Sequence, residues 1–98
     1  MGSAPTADLF IIPASRYQTN HNHWYGWIAD EMHNHGLSVL MPDFPGGNNQ
    51  TFDNWMKVIK NHERFIGKQT IMVGHSLGGR LLQSVLETHT VGAAIFVA

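Results

Sequence analysis

Ile71-Met72-Val73-Gly74-His75-Ser76-Leu77-Gly78-Gly79 joins an apolar, β-type run directly to the pattern Gly-x-Ser-x-Gly. A helical pattern follows at once, with Leu77, Leu81, Leu82, Val85 and Leu86 at spacings of three and four. Strand, motif and helix in immediate succession are what a nucleophile elbow requires: the serine sits at a sharp turn, in a strained backbone conformation that projects its hydroxyl above the sheet. Gly74 and Gly78 stand two positions to either side, where any side chain would strike the neighbouring strand or helix. An ordinary glycine-rich turn would show the same five residues, but the flanking elements favour the elbow. Ser76 is therefore the candidate nucleophile.

Upstream, Leu9-Phe10-Ile11-Ile12 is a continuous apolar run ended by Pro13, as expected of a short strand buried on both faces. Beyond the polar loop 14–20, Asn20 or Asn22 caps a helix in which Trp24, Trp27, Ile28, Met32 and His35 share a face, with Gly36 as its stop. Leu37 to Met41 is the second strand, closed by Pro42, and Asp43 to Gln50 is loop by composition. Thr51 caps a second helix that carries Phe52, Trp55, Met56, Ile59, Glu63 and Ile66 on the helical period and ends at Gly67. Thr70 to Val73 is the third strand and Thr90 to Val97 the fourth.

The order βαβαβαβ predicts an α/β fold, a three-layer sandwich with a parallel four-stranded sheet between helices on both faces, in one domain over residues 1–98. Sites in such sheets lie beyond the carboxyl ends of the strands. The loops 13–20 and 42–50 and the turn at Ser76 converge there.

Composition bounds the remaining possibilities. A chain of 98 residues holds one small core with little margin of stability. A formal net charge of −1, with only six Lys plus Arg, offers no electrostatic footprint for nucleic acid. The absence of cysteine excludes disulfides and thiolate metal sites, and suits a reducing compartment. No basic region with an apolar core marks the N-terminus as a secretory signal, and no apolar run approaches the ~20 residues needed to cross a bilayer. A soluble, cytoplasmic protein without membrane association is the expectation.

Seven histidines invite two readings. His21-x-His23 and His33-x-His35 look like metal ligands, yet residues two apart on a helix diverge, and there is no His-Glu-x-x-His pattern or carboxylate at ligand spacing. No metal or other cofactor is expected. As a base for Ser76, His75 points to a different side of the turn, which leaves it a packing or hydrogen-bonding role. His21 and His23 lie near the mouth of the site, where solvated surface histidines are the plainer reading. His33, His35, His62 and His89 fall near helix C-terminal ends, where the dipole favours a cation. Asp43 stands at the correct end of the sheet but belongs to a Pro-Asp turn. The aromatic set Trp24, Tyr25, Trp27 and Trp55 reads as helix-to-sheet core and pocket wall.

The run Asn22-His23-Trp24-Tyr25-Gly26-Trp27, the turn Met41-Pro42-Asp43, the Gly74-His75-Ser76 segment and Glu87-Thr88-His89 together resemble the small serine hydrolases of the retinoblastoma-binding protein 9 type, in the α/β-hydrolase superfamily. The likeness runs over essentially the whole chain. It implies a partial α/β-hydrolase fold with strand order 2-1-3-4, the N-terminal half of a single domain in enzymes roughly twice this length that cleave esters or amides. Position by position, it implies Ser76 as nucleophile and the Leu77 N–H as one oxyanion donor. The second donor falls in the loop after the first strand, at Ala14 or Ser15. This chain has Ala14-Ser15-Arg16 where the family tends to glycine.

In that superfamily the acid and the histidine of the triad follow the serine on later strands. Neither segment lies within residues 1–98, and a serine without its base is a weak nucleophile, slower by on the order of 10⁴-fold. Two classes of function follow. One is an ester or amide hydrolase working through an acyl-serine, with acid and base supplied from elsewhere. The other is a non-catalytic half-domain that acts as an interaction module. In either case the apolar fourth strand, residues 90–97, is expected to be an open edge that pairs with a second copy or with a C-terminal half.

Overall fold

The computed structural model describes residues 5–15 and 24–98. The strands are β1 (Leu9–Ile12), β2 (Val39–Leu40), β3 (Ile71–His75) and β4 (Ala93–Val97), and the helices α1 (Tyr25–Asn34), α2 (Phe52–Asn61) and α3 (Leu77–Leu86). The four strands form one sheet in the order β2-β1-β3-β4, and each neighbouring pair is parallel. Leu9 to Ile12 pair with Ile71 to Gly74, and Ile71 to His75 pair with Ala93 to Val97. This is the expected α/β architecture and strand order.

Alternation along β1 divides the core into two layers. Phe10 and Ile12 turn to one face, where Trp55 and Ile59 of α2 and Leu81, Leu82 and Val85 of α3 cover them. Leu9 and Ile11 turn to the other and meet Tyr25, with Trp24, Ile28 and Met32 packed alongside. A strand sandwiched in this way must be apolar at every position, which is why β1 has no polar residue. Trp55 is fully buried, stacks against Phe44 with ring centroids 4.6 Å apart, and donates its indole N–H to the Pro45 carbonyl at 2.8 Å. Burial of a side chain that size contributes about 3 kcal/mol, and the hydrogen bond fastens the loop after β2 to α2.

Local chemistry accounts for the element ends. Thr51 caps α2 by accepting from the Asn54 N–H at 3.1 Å. Gly36 takes φ 79° at the stop of α1. The expected α2 extended to Ile66, but the helix ends at Asn61 and a short 3₁₀ turn, Glu63–Phe65, follows. The tighter turn lets Ile66 join the core in an extended conformation. α1 begins at Tyr25 with Trp24 as its cap; the expected caps Asn20 and Asn22 lie outside the described residues. Its buried residue is Tyr25, whereas Trp27, assigned to the core face from its spacing, is 68% exposed. His35, assigned to that face too, is exposed and bonds through Nδ1 to the Glu31 carbonyl at 2.8 Å. β2 is limited to two residues, β3 runs on to His75, and β4 starts at Ala93 instead of Thr90. No described helix is long and apolar enough to cross a membrane.

Candidate active site

β3 passes into α3 with a single residue between them, and that residue is Ser76. Its backbone has φ 53° and ψ −112°, the one positive φ outside glycine among the described residues. An L-residue pays on the order of 1–3 kcal/mol for such a conformation, so the surroundings must impose it. The Ser76 N–H donates to the Val97 carbonyl at 2.8 Å, and the Ser76 carbonyl accepts from the Gly79 N–H at 2.9 Å. The side chain is exposed and makes no capping bond to α3.

The two flanking glycines let the turn close. A Cβ on Gly74 would lie 2.6 Å from the Gly78 carbonyl oxygen and 2.7 Å from the Gly79 Cα. One on Gly78 would run into the Ile12 carbonyl oxygen and stand 2.8 Å from that of Pro13. The start of α3 is thereby seated on the end of β1. Leu77, the first residue of α3, packs its side chain against the α2–α3 core layer, and its N–H is among the first-turn donors that a helix leaves without an intrahelical partner.

The loop after β1 arrives at the same end of the sheet. Ala14 is buried, and its N–H donates to the Tyr25 hydroxyl at 2.8 Å. That hydroxyl lies 2.7 Å from Nδ1 of His75. Trp24 sits against both rings, its centroid 4.6 Å from that of Tyr25 and 5.6 Å from that of His75. Tyr25 thus ties the loop to the turn, a role absent from the sequence reading, which placed it in the packing. The available signal was a phenol at the start of an apolar helix face, since a buried tyrosine needs a partner for its oxygen.

Ser76 opens on a groove of about 320 Å³ walled by Gly79, Arg80, Gln83, Phe96 and Val97. The other sequence candidates are spread out. His21 and His23 lie outside the described residues. His62 bonds through Nδ1 to the Val58 carbonyl at 2.7 Å, and His89 lies 3.5 Å from Glu63. His33 stands exposed in the last turn of α1, and Asp43 is exposed after β2. Among the described residues no three His, Asp or Glu side chains gather as a metal site.

The profile of the family described as Serine hydrolase matches residues 9–98. The chain belongs to the serine hydrolase family. YdeN of Bacillus subtilis (strain 168) is 23% identical over 82 residues, which make up 84% of this chain and 43% of YdeN. The crystal structure of the ydeN gene product matches with a TM-score of 0.79 at 22% identity, over 90% of this chain and 49% of that one. At that identity the likeness is one of fold. The chain spans about half the length of YdeN. Membership of the family supports a hydrolase function.

Proposed function

We propose that the protein hydrolyses small ester or amide substrates through an acyl-serine intermediate on Ser76. The observation that carries this reading is the strained backbone of Ser76 at φ 53° and ψ −112°, between glycines that tolerate no side chain. Strain of this kind is kept where the geometry is used. In this reading Ser76 Oγ attacks the substrate carbonyl while a general base takes its proton. The Leu77 N–H donates to the oxyanion, and the base passes the proton to the departing alcohol or amine. Water then attacks the acyl-serine by the same steps and releases the acid.

The second oxyanion donor is assigned to Ser15, because an amide has one proton and that of Ala14 is given to Tyr25. The base and its acid are assigned to segments beyond these 98 residues, on the same polypeptide or a second chain, in the superfamily order serine, acid, histidine. YdeN's greater length supports this, as does the resemblance to the retinoblastoma-binding protein 9 type. On the same grounds residues 1–98 form the N-terminal half of one domain, with β4 as the edge at which its sheet continues. The lack of cysteine fits a cytoplasmic setting.

Turnover of p-nitrophenyl butyrate tests the reading. The protein expressed from its complete gene is expected to hydrolyse it, and Ser76→Ala to lose on the order of 10⁴-fold in kcat. Equal rates in the two proteins would favour a half-domain that binds a partner through β4.

A further inference from the structure

We propose that Tyr25 is a positioning residue for oxyanion stabilisation, its hydroxyl setting the loop after β1 against the turn that carries Ser76. The inference rests on the hydrolase reading. Tyr25 is the first residue of α1 and is 1% exposed, so its polar tip must find partners inside the protein. It finds them on two different elements: the Ala14 N–H at 2.8 Å and His75 Nδ1 at 2.7 Å. A hydroxyl carries one proton and two lone pairs, so after accepting from Ala14 it can still donate to Nδ1 or accept from an Nδ1–H, according to the imidazole tautomer.

The bond falls where the sheet cannot act. β1 and β3 are held in register as far as Ile12 and Gly74, but the next residue of the loop is Pro13, which has no N–H to extend the ladder. Tyr25 supplies the connection one residue later, between Ala14 and the residue immediately before Ser76. Ser15 and Leu77, the assigned donors, each adjoin a tied segment. Donors must stand within about 2.7–3.1 Å of the developing oxyanion, so a small drift of the loop costs rate more than binding.

The test is kinetic and spectroscopic, on the protein expressed from its complete gene. Tyr25→Phe keeps the ring and removes only the oxygen. The expected result is a fall in kcat on the order of 10- to 100-fold with KM changed by less than about twofold. The ¹H–¹⁵N resonances of Ser15 and Leu77 are expected to shift together with that of Ala14. His75→Phe should reproduce the loss. His75→Asn, whose side-chain amide can either accept from or donate to the tyrosine oxygen, should recover most of it; this pair decides the matter if Tyr25→Phe does not fold. Unchanged kcat in Tyr25→Phe, or equal losses in His75→Phe and His75→Asn, would overturn the proposal. Absence of Ser76-dependent turnover in the wild type counts against the hydrolase reading instead. The resonances then judge the tie: a shift confined to Ala14 overturns it, and one that reaches Ser15 and Leu77 upholds it.

Discussion

The backbone N–H of Ser76 donates to the carbonyl of Val97 at 2.8 Å, so the strained residue is anchored to the edge strand of the sheet. The strain lies in the φ/ψ pair, and alanine suffers it as serine does. Glycine does not. Ser76→Gly is expected to be more stable than Ser76→Ala by about 1 kcal/mol, part of the relief being offset by glycine's greater freedom in the unfolded chain. Urea unfolding of the two variants measures the difference, and equal midpoints would mean that the turn stores no strain.

The three glycines of the turn differ in what surrounds them, and their alanine variants should differ accordingly. At Gly74 and Gly78 an added methyl meets backbone atoms that cannot step aside. Each substitution is expected to destabilise by about 3 kcal/mol. At Gly79 the nearest atom is 3.4 Å away, on the half-exposed ring of Phe96, and the position is helical. There alanine's helix propensity should leave stability unchanged or raised by up to about 1 kcal/mol. Thermal melts of the three variants provide the check; a severe loss at Gly79 would contradict the packing described.

β4 pairs only with β3 among the described strands, and its Ile95 and Phe96 are 49% and 50% exposed. An apolar strand edge of this kind pairs with what it meets. Residues 1–98 produced alone are expected to self-associate, and Ile95→Lys to shift them toward monomer in sedimentation velocity. A monomeric wild type at tens of micromolar would show that the edge is protected in some other way.

The sheet was legible because β1 and the run into Ser76 are apolar without interruption, and the spacing of Leu81, Leu82 and Val85 marks the buried face of α3. Element ends were harder to read. Nothing in the pattern of Ile59, Glu63 and Ile66 announces the change from α-helix to 3₁₀ turn after Asn61, because Ile66 is apolar in either conformation. On α1 the period rightly selected Trp24, Ile28 and Met32, but the packed stripe takes in Tyr25 and leaves Trp27 out. The polar partners of Tyr25, Ala14 and His75, lie 11 and 50 residues away in sequence. The candidate nucleophile is a local feature of five residues and could be read directly; the tie behind it joins three elements and could not.

Peptide mapping of the protein, expressed from its complete gene, after reaction with a fluorophosphonate tests Ser76 as the nucleophile most directly. One adduct is expected, on the peptide carrying Ser76, with none in heat-denatured protein and none at that position in Ser76→Ala. An unmodified Ser76 in native, folded protein would contradict it.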